Sequence, residues 1–242
     1  ALFLSTLGWR WTYLFWAVPI LVWGFIVLRS PRLETKIYER RSDVKGAGLS
    51  RLSLIVSSGF LTFLAAIAIR EVGITGTSTF MTTYLVKMRG LSEATASLIF
   101  GLGPFIGILG ALNGGFLGEK IGAKKALTLA ILGCALSLSV LAASSQLYLL
   151  TLFYLLYAFF NSGVWVPMNT IVADITPVTE RELSYSVYLF TEGLVTSIAP
   201  TVAVAVIELS NIWYVFPFSI TLLATSLIVT QFVSYSRSPQ HK

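Results

Sequence analysis

Three charged side chains lie inside long apolar runs of this sequence. Arg70 and Glu71 interrupt one run, and Glu192 interrupts another. A charge within hydrocarbon costs about 2.5 to 3.5 kcal/mol on insertion scales, so each side chain should face a polar cavity or a charged partner. Arg70 is suited to binding an anionic group or holding a carboxylate, and either glutamate is suited to exchanging a proton. The alternative is structural: Arg70 pairs permanently with Glu192 between helices, or extends to a polar interface.

Polar and aromatic side chains recur beside these charges at helical spacing, which places them on shared faces. In the run that contains Arg70 and Glu71, one face comprises Glu71, Thr75, Ser78 and Thr82. A second face of the same run comprises Arg70, Gly73, Thr77 and Tyr84. The face around the third charge comprises Tyr185, Tyr188, Glu192 and Thr196. An aromatic and amide stripe comprises Tyr154, Tyr157, Asn161, Trp165 and Met168. From these faces we predict that Tyr157, Asn161, Trp165 and Tyr188 join the three charges in binding a solute or coupling protons, with ordinary helix packing as the alternative for the aromatic stripe.

The residue types give little support to covalent catalysis or metal binding. The only histidine is His241, near the end of the chain, and the single cysteine, Cys134, lies inside an apolar run where packing is its expected role. No phosphate loop of the G-x-x-x-x-G-K-[ST] kind occurs, which argues against direct coupling to ATP. We therefore predict no enzyme, no cofactor and no metal site.

The composition predicts the elements that position these residues. Of the 242 residues, 55% are hydrophobic and 12% charged, and the mean hydropathy is +0.80, which leaves too little polar surface for a water-soluble globule. A membrane-spanning helix needs about 20 apolar residues to cross about 30 Å of hydrocarbon. Seven segments qualify: Trp11–Leu28, Leu52–Val86, Thr95–Phe116, Ala126–Ala143, Leu147–Ile171, Tyr185–Ile207 and Ile212–Val233. The sequence thus predicts an all-α membrane protein.

The distribution of basic residues predicts the orientation of these segments. If Leu52–Val86 is one long helix, 13 of the 17 lysines and arginines fall on one side: those of the linker 29–51, the loop 117–125 and the C-terminus, together with Arg181. Such clustering is typical of cytoplasmic loops, and it differs from the basic stripe of a nucleic-acid-binding domain. We predict one long helix, either continuous or broken along its length, and no nucleic-acid partner.

A glycine-rich and basic motif joins the third and fourth segments. It reads Gly-Phe-Leu-Gly-Glu-Lys-Ile-Gly-Ala-Lys-Lys from position 115, and its characteristic positions are Gly115, Glu119, Lys120, Gly122, Lys124 and Lys125. The glycines permit a tight turn, and we expect the last two lysines to remain on the cytoplasmic surface. This motif resembles the G-x-L-x-D-R-x-G-R-K loop of the major facilitator superfamily. Shorter signatures agree in order and spacing: Gly8-Trp9-Arg10-Trp11, Gly90-Leu91-Ser92, and Asp174 with Pro177 and Arg181.

The resemblance implies a twelve-helix secondary transporter whose two bundles rock around a central site. On its register the seven segments are helices six to twelve, and helices one to five are missing from this chain, which does not begin with Met. The implied organisation is 1–28 as the end of the N-terminal bundle, 29–51 as a cytoplasmic linker, 52–235 as the C-terminal six-helix bundle and 236–242 as a cytoplasmic tail. The implied function is proton-coupled movement of a small organic solute across the plasma membrane.

Other interpretations remain open at this point. Seven segments also suit a receptor, although a retinal protein needs a lysine in its last helix and Ile212–Val233 has none. A half-transporter or scaffold that acts only with a partner chain is a further possibility. Among transporters, efflux of an amphipathic compound competes with uptake of an anion.

We also predict close helix contact along a small-residue seam of Gly103, Gly107, Gly110 and Gly114. Bends are expected at Pro19, Pro104, Pro167, Pro200 and Pro217.

Overall fold

The computed structural model describes residues 9–29, 58–177 and 180–233, and these residues form helices joined by short connections. Most of the predicted linker, and the predicted tail 236–242, lie outside the described residues. The chain divides into two compact units, 1–50 and 51–242. The first contains helix α1 (Trp9–Leu28). The second contains α2 (Ser58–Lys87), α3 (Glu93–Ile121), α4 (Ala123–Ala143), α5 (Leu147–Gly163), α6 (Trp165–Ile175), α7 (Arg181–Leu209) and α8 (Val215–Gln231).

Six helical stretches in the described part of the chain are long and apolar enough to cross a membrane. They are α2, α3, α4, α5 with α6, α7, and α8 with the short 3₁₀ turn that precedes it. They match six of the seven predicted segments in order. The first segment also forms a helix, α1, in which the stretch 17–26 is apolar.

Helix α2 runs without interruption through Arg70 and Glu71. The prediction of one long helix is therefore confirmed over its described part, which begins at Ser58. One face of α2 packs on α8, where the Ser219 hydroxyl donates a 2.8 Å hydrogen bond to the Gly73 carbonyl. The Thr77 and Ser219 hydroxyls also share a hydrogen bond. The Gly73 and Thr77 face is thus part of a helix interface.

The predicted fifth segment is not a single helix. Helix α5 ends at Gly163, and α6 begins at Trp165 after a break at Val164. Pro167 has no backbone N–H to donate to the Gly163 carbonyl, and glycine is itself a poor helix former, so the helical ladder fails here. Pro104 and Pro200, by contrast, lie inside the continuous helices α3 and α7.

The predicted loop 117–125 is also corrected. Helix α3 continues to Ile121 and α4 begins at Ala123, so a single residue, Gly122, separates them. Gly122 has φ +94°, a conformation that residues with a Cβ rarely adopt. Glycine here allows the chain to reverse without a loop.

The small-residue seam of α3 packs directly on α5, as predicted. A Cβ added at Gly110 would lie 1.9 Å from the Phe159 carbonyl oxygen, and one added at Gly114 would lie 2.0 Å from that of Gly163. Only glycine leaves room for backbone to approach so closely. This contact fixes α5, which carries part of the candidate site.

Candidate functional site

Arg70 lies at the middle of α2 and is only 3% exposed. Its Nη1 donates to the Glu71 carboxylate, forming an ion pair in which Glu71 is 6% exposed. Its Nη2 donates to the side-chain oxygen of Asn161 on α5 and approaches the Asn161 carbonyl at 3.4 Å. Arg70 therefore holds a carboxylate, and that carboxylate belongs to Glu71. The predicted alternative of a permanent Arg70–Glu192 ion pair does not match this geometry.

The contact between adjacent residues follows from the length of the arginine side chain. Successive helical residues point about 100° apart, so Arg70 and Glu71 leave the α2 backbone in different directions. The flexible stem of Arg70 lets its guanidinium reach back to the Glu71 carboxylate. Two charges that begin on different faces of α2 thus meet at one point in the interior.

Glu192 and Tyr188 lie one turn apart on α7. Glu192 is 9% exposed and Tyr188 is fully covered. The charged and titratable side chains that interact electrostatically with the Glu192 carboxyl are Glu71, Tyr188 and Arg70. Glu192 forms no ion pair within the described part of the chain. The structure therefore brings Glu192 into the electrostatic range of the Arg70–Glu71 pair and leaves it outside that pair.

Arg70 Nε is buried without a hydrogen-bond partner among the described residues, and the buried Tyr188 hydroxyl interacts with the Glu192 carboxyl without a well-formed hydrogen bond. Buried polar atoms are nearly always hydrogen-bonded, so two such atoms in one region are uncommon. Arg70 and Tyr188 interact electrostatically with each other and with Glu71. We call Arg70, Glu71, Asn161, Tyr188 and Glu192 the charged cluster.

Tyr157 lies beside the charged cluster, but its hydroxyl already forms a hydrogen bond within the protein. Its hydroxyl shares a 2.9 Å hydrogen bond with Ser78, which ties α5 to α2. Its backbone carbonyl is 3.9 Å from the Cys134 sulfur of α4. Cys134 is fully buried, as its apolar surroundings predicted, yet it also lies within electrostatic range of Arg70. Sequence reasoning missed that proximity because no spacing within one helix indicates which other helix lies opposite.

Trp165 does not join the charged cluster. It follows the break at Val164, which ends the helical register that placed it on the stripe of Tyr157 and Asn161. Its side chain is 47% exposed, whereas Met168, one turn further along α6, is buried. The predicted stripe is therefore split at the helix break.

The glycine-rich and basic motif forms a contact that the sequence did not predict. Lys124 Nζ donates to the Gln231 carbonyl at 2.8 Å and to the Val233 carbonyl at 2.9 Å, at the C-terminal end of α8. A lysine there satisfies carbonyls that the helix leaves unpaired and complements the helix dipole. Lys124 thus lies at the surface of the bundle with its head group bound to the end of α8.

The remaining motif residues lie around this contact. Lys125 and Glu119 are exposed, Lys120 Nζ lies 5.5 Å from the centre of the Phe116 ring, and Gly115 approaches Val166 of α6. Lys124 and Lys125 also line a surface cavity of about 690 Å³ that contains no member of the charged cluster. The motif thus joins three helix ends at one end of the bundle.

A basic residue outside the predicted site makes a similar contact elsewhere. Arg89 Nη2 donates to the Ala142 carbonyl at 2.6 Å, near the C-terminal end of α4. Its Nε donates to the Tyr84 hydroxyl at 2.8 Å. The sequence placed Arg89 in a short connection and gave no sign of this partner.

Membrane-length helices around a buried ion pair and an additional carboxyl define a multi-pass membrane protein with an internal ionic site. The profile of the Major Facilitator Superfamily matches residues 1–141 and 90–242, and the chain belongs to this family of transporters. The receptor interpretation and an enzymatic function therefore do not apply.

A relative is the uncharacterized MFS-type transporter YqjV of Bacillus subtilis (strain 168). It is 26% identical to this chain over 107 residues. The match covers 44% of this chain and 26% of the relative's length.

Proposed function

We propose that this chain is the C-terminal portion of a proton-coupled secondary transporter that moves a small organic solute by alternating access. The observation that supports the proposal most strongly is the charge balance of the charged cluster. It holds one guanidinium and two carboxyls inside helices of membrane-spanning length. One carboxyl is therefore left without a positive partner.

The two carboxyls have different roles in this proposal. Glu71 is paired with Arg70, so these two charges offset one another within α2. Glu192 has no ion-pair partner among the described residues, and an uncompensated charge in a closed, low-dielectric site costs several kcal/mol. Glu192 therefore holds a proton while the site is closed and releases it when the site opens to water. This exchange couples the proton gradient to the conformational cycle.

The arrangement in the membrane is part of the same proposal. The helices correspond to helices six to twelve of the family, with α1 as the end of the N-terminal bundle and 52–235 as the C-terminal bundle. The linker 29–51, the α3–α4 junction and the C-terminus face the cytoplasm of a cell whose plasma membrane holds the protein. The positive-inside pattern supports this orientation. Helices one to five would complete the solute pathway.

The test is transport by the complete protein in proteoliposomes, with and without a pH gradient. A trapped pH indicator reports proton movement when candidate organic solutes are added. We expect Glu192→Gln to abolish pH-driven solute and proton movement. Glu208→Gln is the matched control, because Glu208 lies on the same helix but is exposed. Unchanged pH-driven uptake by the Glu192→Gln protein would remove Glu192 from the mechanism.

A further inference from the structure

We infer that the cavity between the first turns of α4 and the last turn of α8 binds the headgroup of an anionic phospholipid, whose acyl chains lie along the exposed face of α4. This site contains no member of the charged cluster. The inference does not depend on the proposed transport cycle.

The lining of the cavity carries positive charge and no negative charge. Its polar side chains belong to Lys124, Lys125, Thr128 and Gln231, and no acidic residue lines it. Neither lysine forms an ion pair among the described residues. Both acceptors of the Lys124 ammonium are backbone carbonyls, which hold its head group in place but leave its charge uncompensated. The cavity therefore attracts an anion.

The two lysines offer hydrogen-bond donors that suit a phosphate group. A lysine ammonium has three N–H donors, and Lys124 uses two of them on the carbonyls of Gln231 and Val233. Lys125 is exposed and has no hydrogen bond among the described residues, so its head group is free to turn toward a ligand. One fixed and one movable ammonium can bind different oxygens of the same phosphate.

The cavity lies at the depth of lipid headgroups. Helix α4 begins at Ala123 and α8 ends at Gln231, and both belong to spans long enough to cross a membrane, so their ends mark the boundary of the hydrocarbon. Basic pockets between helices at this depth are a recurring type of headgroup site. The volume of about 690 Å³ is within the range of about 300–1,000 Å³ that small-molecule sites occupy.

An apolar surface continues from the cavity along the same helix. Leu129, Leu132 and Leu136 follow Lys125 at i+4, i+7 and i+11, which places all four on one face of α4. The three leucines are 47%, 42% and 59% exposed. A charge at the end of the helix and leucines along the span match the headgroup and the acyl chains of one phospholipid. A free phosphate would use only the charged part of this surface.

Protein segments fit the cavity less well. Lysine is depleted from protein–protein interfaces, because its charge loses hydration when it is covered. Residues 234–242 follow α8 directly, but they include Arg237, His241 and Lys242 and no acidic residue. Their positive charge is repelled by the charge of the cavity. An anionic lipid has the opposite charge and is already present in the surrounding bilayer.

The test measures lipid binding to the complete protein in detergent micelles by native mass spectrometry, which counts bound lipids and also reports the oligomeric state. The probes are dioleoylphosphatidylglycerol, dioleoylphosphatidylcholine and glycerol 3-phosphate. We expect phosphatidylglycerol to bind about tenfold more tightly than phosphatidylcholine, which has the same chains but no net charge. Glycerol 3-phosphate, which lacks the chains, should not bind at the same concentration.

Variants locate the site. Lys125→Gln should weaken the tightest binding of phosphatidylglycerol by about fivefold, since one lysine near a headgroup contributes about that much, and Lys125→Arg should preserve it. Lys87→Gln is the matched control, because Lys87 is also exposed but lies in the last turn of α2, at the opposite end of the bundle. It should leave the affinity unchanged. Lys125 is at the surface, so melting temperatures of these variants should equal that of the parent protein.

Several results would overturn the inference. Equal affinity for both phospholipids, or affinity that Lys125→Gln leaves unaltered, would show that the cavity does not select an anionic lipid. Equal losses in Lys125→Gln and Lys87→Gln would indicate a general effect of charge. Binding of glycerol 3-phosphate as tight as that of the lipid would identify a site for a free anion. Tighter lipid binding after removal of residues 234–242, or a dimer that excludes lipid, would assign the cavity to a protein segment.

Discussion

The Arg70 side chain donates to the side-chain oxygen of Asn161, which joins the middle of α2 to the last turn of α5. The break at Val164 follows three residues later along the chain. The charged cluster therefore lies close to the point at which α5 ends and α6 begins. A change in the charges of the cluster would therefore act on the Arg70–Asn161 hydrogen bond, three residues before this break.

Replacing Asn161 by Leu should destabilise this connection. The substitution removes the acceptor of a buried guanidinium nitrogen, and a buried donor left without a partner costs about 1–3 kcal/mol. We expect a lower melting temperature in detergent, measured by intrinsic fluorescence. The control is Asn169→Leu, since the Asn169 side chain donates to the Trp165 carbonyl in its own helix and its backbone carbonyl, which accepts from Tyr185, is kept in the variant. Equal melting temperatures for the two variants would contradict the role assigned to Asn161.

The Arg70–Glu71 pair should behave as a coupled unit. Arg70→Gln alone leaves the Glu71 carboxylate buried without its cation, and breaking a buried pair in this way costs about 3–5 kcal/mol. The double variant Arg70→Gln, Glu71→Gln removes both charges and should recover part of that loss. A double-mutant cycle on melting temperature and yield of folded protein measures the coupling. Strict additivity of the two single substitutions would show that they do not interact.

Gly110 should not tolerate even a methyl group. A Cβ there would lie 1.9 Å from the Phe159 carbonyl oxygen, which is backbone and cannot rotate away. Gly110→Ala must therefore push α3 and α5 apart, at a cost of about 1–3 kcal/mol or more. Gly101→Ala on the same helix meets open space and should be neutral or slightly stabilising. Thermal stability in detergent distinguishes the two, and indistinguishable variants would rule out the close α3–α5 contact.

The contact of Lys124 with the end of α8 gives a local prediction. Lys124→Gln shortens the side chain and removes its charge from two helix carbonyls, a loss of about 1 kcal/mol. Hydrogen exchange should become faster in the last turn of α8 and remain unchanged in α5. Lys125→Gln is the matched control, because Lys125 is exposed. Faster exchange in both variants would indicate a general effect of charge instead of a specific contact.

The helices were predictable because their apolar lengths are set by the thickness of a membrane. The uninterrupted α2 followed from the distribution of lysines and arginines, and the glycine seam followed from four glycines on one face of α3. Such features depend on spacing within one helix, which the sequence displays directly.

The details of the site depend on contacts between helices and on side-chain conformation. Spacing placed Arg70 and Glu71 on different faces and gave no indication that the guanidinium bends back to its neighbour. Pro167 was expected to mark a bend, and the structure shows instead that α5 ends and α6 begins there, with Trp165 exposed just after the break. The partner of Lys124 lies more than a hundred positions away, so no local pattern identifies it.

Infrared difference spectroscopy of the complete protein tests most directly whether Glu192 is the group that gains and loses a proton. The carbonyl stretch of a protonated carboxyl is distinct from the bands of a carboxylate, so it reports the proton itself. We predict a protonated-carboxyl band that disappears as the pH is raised, is absent from the Glu192→Gln protein and persists in the Glu208→Gln protein. An unchanged band in the Glu192→Gln protein would contradict the account.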